Sequence, residues 1–239
     1  MGNLGLFDAQ VHLNWLENPE EAAAQAQKLG VSALCCTVTP KEYRDASALL
    51  SKYANVRVAA GVHPWFVNEA ANAKDAIDAI DDSAWVGEVG LDFGAKHANT
   101  KKDQLRVFEA ICEACSEGGK TLSIHSVRSA GTVMDILEKT GTIDNCRCVF
   151  HWFSGASKEL ARAKEAGCWF SVGERTLGTR RGREYARQIP GNRLLLETDL
   201  PEVRKDGTAP ADIAKSLTRT AEILASIKEG WEPSQARLF

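Results

Sequence analysis

Histidine and carboxylate side chains stand where short apolar runs of this chain end. The chain has five histidines in 239 residues, and four of them directly follow such a run. These four are His12, His63, His125 and His151. Glu88 and Asp199 occupy the same kind of position, in the segments GEVGLD and LLLETDLP. Imidazole nitrogens and carboxylate oxygens are the groups that bind Zn²⁺, Mn²⁺ or a similar ion, so the pattern predicts metal-dependent chemistry.

Eight short runs rich in Val, Leu, Cys and Phe predict β-strands, and the amphipathic stretches between them predict helices. The strand candidates are Leu6–Val11, Ser32–Val38, Val56–Gly61, Trp85–Gly90, Thr121–His125, Arg147–His151, Cys168–Val172 and Leu194–Thr198. Eight such units favour an α/β fold of the (β/α)8 TIM barrel type, with a doubly wound open sheet as the alternative. Because the sequence has no low-complexity segment or linker, we expect a single domain over residues 1–239.

Barrel enzymes carry their catalytic residues at the C-terminal ends of the strands. The four histidines and two carboxylates all lie at or near the C-terminal ends of predicted strands, so we expect them to converge at one mouth of the barrel. A single histidine at a strand end is more often an ordinary hydrogen-bonded residue than a ligand. Four histidines together with two carboxylates favour a metal site instead.

Charge and hydropathy restrict the other functions of the chain. A formal net charge of −3 gives no general attraction for nucleic acid, so phosphate must be bound by a local patch or by metal. No window approaches the roughly 18 apolar residues that cross a bilayer, and the start MGNLGLFDAQ lacks the regions of a signal peptide. We therefore expect no membrane partner and a cytoplasmic location.

Five segments of the chain resemble the TatD family of metal-dependent hydrolases, many of whose members are DNA nucleases. In chain order these segments are GVHPW, VGEVGLD, IHS, HWFSG and LLETDLP, and they extend over nearly the whole sequence. GEVGLD and LLLETDLP are the specific ones, whereas GVHP alone is a weak signal. The resemblance implies a two-metal site in which Glu88 bridges the ions. His125 and His151 would complete the coordination of one ion, and His12 with Asp199 would bind the other.

One position departs from the family pattern. The family usually has Asp-x-His-x-His at strand one, where this chain has DAQVH over residues 8–12. Gln10 is therefore a doubtful ligand, because an amide oxygen binds a borderline metal more weakly than imidazole does. A weakly held second ion, a one-metal enzyme and an inactive relative are the possible outcomes. The intact trio Glu88, His125 and His151 favours retained chemistry with one or two divalent ions, Zn, Mg or Mn.

Such a site suits the cleavage of phosphate esters. A bound ion lowers the pKa of its water towards ~7, and a second ion can stabilise the oxygens of a phosphodiester. We therefore expect a DNase or exonuclease with DNA as its substrate. Glu88 and Asp199 are the predicted catalytic residues, with Asp199 able to act as a general base. The alternative for Asp199 is a helix N-cap, for which Asp is favoured.

Four residues are candidates for contact with the substrate. His63 precedes a proline and is predicted at the rim, where it meets a phosphate or a backbone group. Ser126 is a further donor for phosphate oxygens. Arg180 and Arg181 lie in the segment 174–183 after strand seven, which we interpret as a loop that contacts a nucleic-acid backbone or is simply solvated.

Other side chains near the predicted mouth have supporting roles. Asp92 and Glu197 are candidates to orient ligating histidines. Glu197 shares a strand face with Asp199 but lies deeper, so we expect its carboxylate to be hydrogen-bonded. Trp65 and Trp152 either stack on a base or pack against the protein.

Two other functions are compatible with the sequence. Hydrolysis of an amide or lactone is one, but amidohydrolase-like barrels of that kind often place a modified lysine where this chain has Glu88. The other is a catalytically weakened TatD-like subunit that acts as a binding module in a multi-protein assembly such as a phage-defence system. Gln10 is the only sequence feature that supports it.

Overall fold

Eight parallel strands pair in chain order and close into a barrel between the last strand and the first, in a computed structural model that describes residues 5–67 and 73–238. The strands are β1 (Leu6–Val11), β2 (Val31–Cys36), β3 (Val56–Val62), β4 (Trp85–Asp92), β5 (Thr121–Val127), β6 (Arg147–His151), β7 (Trp169–Val172) and β8 (Leu194–Leu196). The predicted (β/α)8 barrel is confirmed, and every predicted strand is present within two residues of its expected ends.

Helices follow the strands, and the eight that have nine or more residues correspond to the predicted amphipathic stretches, whereas the two four-residue helices were not predicted. The helices are α1 (Pro19–Leu29), α2 (Pro40–Leu50), α3 (Ala73–Asp81), α4 (Lys101–Cys115), α5 (Ala130–Lys139), α6 (Thr142–Asn145), α7 (Ser157–Glu165), α8 (Glu174–Leu177), α9 (Arg180–Gln188) and α10 (Pro210–Ile227). The sequence predicts the third helix from residue 70, and residues 70–72 lie outside the described part. Within the described ranges, no helix combines the length and apolar character needed to cross a bilayer.

Local chemistry explains where individual helices begin and end. α1 starts with Pro19 in its first turn. Glu20 and Glu21 follow, and their negative charges interact favourably with the positive end of the helix dipole. It ends at Gly30, which adopts the left-handed conformation with φ 71°.

The prediction of a loop over residues 174–183 is wrong, because α8 and the start of α9 occupy this segment. The Thr179 hydroxyl accepts a hydrogen bond from the backbone N–H of Gly182 at 2.9 Å and so caps α9. Arg180 and Arg181 therefore lie in the first turn of a helix.

The chain forms two compact units, each built from separated stretches. Unit 1 comprises residues 5–35, 46–58 and 170–238, and unit 2 comprises residues 36–45, 59–67 and 73–169. Each has its own apolar core. In unit 1 the core includes Val11 and Leu194, and in unit 2 it includes Ile124 and Phe150, all of them fully buried. Burial of such side chains is the main favourable contribution to folding.

A bulge in β4 sets the position of Glu88. Val86 pairs with Leu122 of β5, but the next pair joins Val89 to Ile124, so β4 contains one residue more than its partner over this stretch. The bulge falls at Gly87 and Glu88. Bulges re-aim side chains next to functional sites, and this one fixes the direction of the Glu88 carboxylate.

The backbone beyond β2 holds the bulge in place. The N–H of Glu88 donates to the carbonyl of Thr37 at 2.8 Å, and the N–H of Thr37 donates to the carbonyl of Gly87 at 3.1 Å. Two strand ends are thereby joined at the residue that the sequence singles out as a metal ligand.

Close backbone contacts explain two glycines of the conspicuous motifs. A Cβ atom on Gly90 would lie 2.1 Å from the carbonyl oxygen of His125, and Gly90 has φ +135°. A Cβ on Gly61 would lie 2.3 Å from the carbonyl oxygen of Thr37. Both positions therefore require a residue without a side chain, which explains the glycines at these places in the GEVG and GVHP segments.

We predict that Gly90→Ala lowers the free energy of unfolding by about 3 kcal/mol or more, because backbone must move away from the added methyl group. Urea denaturation followed by circular dichroism measures the change. The matched control is Gly207→Ala, whose φ is +85° but whose Cβ would meet nothing within 4 Å. It should cost only about 1 to 2 kcal/mol, the usual penalty of the left-handed conformation. Equal losses in the two variants would show that the contact with His125 does not matter.

Candidate active site

Three imidazole rings of unit 2 surround one oxygen of the Glu88 carboxylate. Oε1 of Glu88 lies 2.8 Å from Nδ1 of His125, 2.8 Å from Nε2 of His151 and 3.1 Å from Nε2 of His63. Nδ1 of His125 is also 3.3 Å from the facing nitrogens of His63 and His151. All four side chains are buried: Glu88 and His125 lie within β4 and β5, His151 ends β6, and His63 directly follows β3. We call these four residues the Glu88 cluster.

The charge balance within the Glu88 cluster favours an ionised carboxylate. Burial alone would raise the pKa of Glu88, but the charges of His63 and His151 and hydrogen bonds from His125 and His151 bring the pKa well below its ordinary value. Burial likewise opposes protonation of His125, yet hydrogen bonds to Asp92 and Glu88 raise the pKa of this imidazole. These partners therefore favour the ionised form of the Glu88 carboxylate.

This donor set fits a divalent cation. Ligand nitrogens and oxygens of His63, Glu88 and His125 all lie within 4.8 Å of one another. The Trp65 backbone N–H donates to Nδ1 of His63 at 3.1 Å, which leaves Nε2 as the nitrogen that faces the carboxylate. Imidazole and carboxylate donors that share protons in this way release them when a metal binds.

Asp92, the last residue of β4, supports the Glu88 cluster from behind. Its Oδ2 accepts the indole N–H of Trp65 at 2.6 Å and lies 3.5 Å from Nε2 of His125. Its Oδ1 accepts the backbone N–H of Gly94 at 2.7 Å. Burial opposes the charge, but hydrogen bonds from His125, Trp65 and Gly94 lower the pKa of Asp92 below its ordinary value. Asp92 thus occupies the place expected of a carboxylate that orients a ligating histidine.

Trp65 forms an exposed aromatic surface next to this carboxylate. The indole is 51% exposed, and it stacks on His97 with ring centroids 4.8 Å apart and an interplanar angle of 8°. It also meets His63 edge-on at 4.9 Å. Sequence reasoning gave His97 no role, because its partner is recognisable only once β3 and β4 are placed side by side.

The remaining predicted ligands lie in unit 1. Nε2 of His12 is 3.5 Å from Oδ1 of Asp199, and the backbone N–H of Asp199 donates to the carbonyl of Gln10 at 2.8 Å. Asp199 has φ 56°, a left-handed conformation that Asp tolerates better than most residues. The next helix begins at Pro210 with Ala209 as its N-cap, so the N-cap interpretation of Asp199 is wrong.

Asp8 joins β1 to the segment after β8, and sequence reasoning missed it. Its buried carboxylate accepts the backbone N–H and the hydroxyl of Thr198 at 3.0 and 2.6 Å, and the backbone N–H of Gln10 at 3.2 Å. Burial raises the pKa of Asp8 to about 7, although these hydrogen bonds oppose the rise. Asp8 fixes the two strand ends that carry His12 and Asp199.

Nearby polar and aromatic contacts complete this part of unit 1. The Ser171 hydroxyl donates to Glu197 at 2.5 Å, which confirms that the buried Glu197 carboxylate is hydrogen-bonded. The His12 ring stacks on Trp15 with centroids 4.3 Å apart, and the guanidinium of Arg204 lies 4.8 Å from the centre of the Trp15 ring. His12 is therefore held by stacking as well as by its strand.

The predicted substrate contacts fall in different environments. His63 is buried in the Glu88 cluster rather than placed at an exposed rim. Ser126 alternates with His125 along β5 and so faces the other side of the sheet, where its hydroxyl finds no hydrogen-bond partner among the described residues. Arg180 and Arg181 are exposed on α9, and Arg181 donates to the Tyr185 hydroxyl at 3.0 Å.

Known proteins resemble the chain over almost its full length. The "3'-5' ssDNA/RNA exonuclease TatD" of Citrobacter koseri is 28% identical over 93% of this chain and 90% of its own length. The protein of the same name from Citrobacter rodentium is 30% identical over 82% of this chain and 78% of its own length.

Solved structures show the same fold. The TatD homologue YJJV of Escherichia coli K12 superposes with a TM-score of 0.80 at 21% identity, covering 98% of this chain and 95% of that one. A TatD family hydrolase of Entamoeba histolytica has a TM-score of 0.76 at 18% identity, covering 93% and 91%. The family model described as TatD related DNase matches residues 7–234. These residues include the whole Glu88 cluster together with His12 and Asp199, and the chain belongs to the family of TatD-related DNases.

Proposed function

We propose that this chain is a metal-dependent phosphodiesterase that removes nucleotides from the 3′ end of single-stranded DNA or RNA. The observation that carries the proposal is the Glu88 cluster, where three imidazole nitrogens meet one buried carboxylate oxygen at 2.8 to 3.1 Å. The substrate and the direction of cleavage come from the relatives named as 3'-5' ssDNA/RNA exonucleases.

We assign the metal ligands in two sets. Glu88, His125 and His151 hold one divalent ion, with His63 as a further donor. His12 and Asp199 belong to the second set, in which Gln10 is a weak donor. Zn²⁺ and Mn²⁺ suit such nitrogen and oxygen ligands, and Mg²⁺ suits the carboxylates. When bound, the ions supply Lewis acidity that promotes the ionisation of water and offsets the charge of the phosphodiester.

The side chains themselves position and move protons. Asp199 is the general base in this proposal, because its side chain is 20% exposed and reaches water, whereas the neighbouring His12 is 6% exposed. Asp92 keeps His125 in one orientation through the contact at 3.5 Å. Arg180 and Arg181 offer exposed cations to the phosphates of a longer strand.

A catalytically weakened binding module is the alternative, and it is not favoured. It rests on Gln10 alone, while the trio Glu88, His125 and His151 is complete. The relatives over nearly the full length are named as exonucleases. We extend the same proposal to the whole of residues 1–239 as one TatD-like domain.

We predict that Glu88→Gln and His151→Ala each lower nuclease activity by more than about 100-fold, because even mutations behind metal ligands cost 10- to 100-fold. The assay follows release of nucleotides from 5′-labelled single-stranded oligonucleotides in Mg²⁺ or Mn²⁺. Glu113→Gln, an exposed carboxylate on α4, is the matched control and should retain full activity.

Two results would contradict the proposed function. One is unchanged activity and unchanged metal content in both variants. The other is the absence of metal-stimulated cleavage of any single-stranded oligonucleotide by the wild-type protein. Cleavage that shortens the 5′-labelled strand one nucleotide at a time supports 3′ to 5′ polarity, whereas immediate release of the labelled nucleotide contradicts it.

We predict that Gln10→His tightens the binding of a second ion, because imidazole is a better ligand than an amide oxygen for Zn²⁺ or Mn²⁺. Equilibrium dialysis against Mn²⁺, followed by metal analysis, measures the number of ions bound per chain. Gln188→His adds a histidine at an exposed position of α9 and should leave the stoichiometry unchanged. If Gln10→His binds no more metal than the wild type, Gln10 does not limit the second site.

A further inference from the structure

We propose that the exposed face of Trp65 is a stacking platform for the base of the nucleotide whose phosphate lies at the Glu88 cluster. The inference rests on the proposed function, because it assumes that the ligand is a nucleotide. It adds a binding site for the base, which neither the metal ligands nor the arginines supply.

The exposure of the Trp65 indole is unusual for a large aromatic residue. Tryptophan buries most of its surface when its role is packing, yet this side chain is 51% exposed. One face of the ring is covered by His97, whose plane is inclined by only 8°. The exposed half of the side chain offers open aromatic surface to a second planar group.

The indole is held firmly in place. Its N–H donates to Asp92 at 2.6 Å, and its ring stacks on His97 at a centroid distance of 4.8 Å. A ring that is already ordered loses little conformational entropy when a ligand binds. Both contacts are therefore suited to binding, and neither would be required if Trp65 only covered apolar surface.

The platform is directly connected to the Glu88 cluster. Oδ2 of Asp92, which accepts the Trp65 N–H, is the same oxygen that lies 3.5 Å from Nε2 of His125. The indole also meets the His125 ring edge-on at 6.1 Å and the His63 ring at 4.9 Å. A phosphate at the cluster thus leaves the base of the same nucleotide within reach of the indole.

Stacking implies a particular kind of selectivity. Every base has a π-face, so an aromatic platform accepts all four bases and discriminates only against a nucleotide that has lost its base. The platform should therefore increase affinity for any terminal nucleotide without reading the sequence.

The experiment compares two ligands that differ only in the base. Isothermal titration with Mn²⁺ present measures the affinity for deoxyadenosine 5′-monophosphate and for 2-deoxyribose 5-phosphate. We expect the wild type to bind the nucleotide about 5- to 100-fold more tightly, the range that base stacking on an aromatic side chain contributes. In Trp65→Ala this ratio should fall to about 1 while the affinity for the sugar phosphate stays the same, and Trp65→Phe should keep most of it.

Two further variants test the arrangement. His97→Ala should lower the ratio partially, because the indole loses the ring that supports it. Leu49→Ala removes another large exposed apolar side chain, 42% exposed on α2, and should leave the ratio unchanged. The thermal unfolding midpoint of Trp65→Ala shows whether this variant is folded like the wild type. The proposal is overturned if the folded variant loses the same factor of affinity for both ligands, or loses affinity for neither.

The binding and degradation experiments distinguish a failure of this inference from a failure of the proposed function. If the wild type degrades single strands but binds the nucleotide no better than the sugar phosphate, the platform is wrong and the nuclease stands. If the wild type prefers the nucleotide in a Trp65-dependent manner but degrades no oligonucleotide, the platform stands and the nuclease is wrong.

Discussion

The meeting of three imidazoles with one carboxylate oxygen of Glu88 is the interaction on which the described site depends. A buried anion is costly unless polar partners surround it, and here nitrogens of His63, His125 and His151 lie 2.8 to 3.1 Å from the carboxylate oxygen. Their positions require four adjacent strands, β3 to β6, to be held in precise register. The bulge in β4 and the contact of Gly90 with the His125 carbonyl provide that precision.

The sequence predicts the strands well, and it singles out Glu88, His125 and His151, which the structure brings together, because both predictions depend on local pattern. A short apolar run that ends in histidine, such as the predicted Thr121–His125, needs no knowledge of its neighbours to be recognised as a strand with a polar end. Parallel strand order then follows from the regular alternation with helices, which places His125 beside Glu88 without any coordinates.

Contacts between distant segments could not be predicted, because local pattern does not encode them. The bulge at Glu88 depends on register against β5, and nothing in the letters GEVG states that one extra residue is inserted. The Asp92 carboxylate meets the indole of Trp65, 27 positions earlier, through side-chain orientations that no periodicity encodes. The start of α9 is different: the amphipathic pattern predicts this helix only from Gly182, and Thr179, three residues earlier, was a local capping signal that could have revealed its first turn.

The bond between Asp8 and Thr198 has a consequence for the order in which the chain can fold during synthesis. Its two ends are 190 positions apart, and ribosomes add about 5 to 20 residues per second, so Asp8 is made about ten seconds or more before its partner. Until residues 170–238 follow, the apolar side chains of β1 lack the strand β8 that pairs with them in unit 1. Among the strands of the barrel, β1 therefore waits longest for one of its two partners.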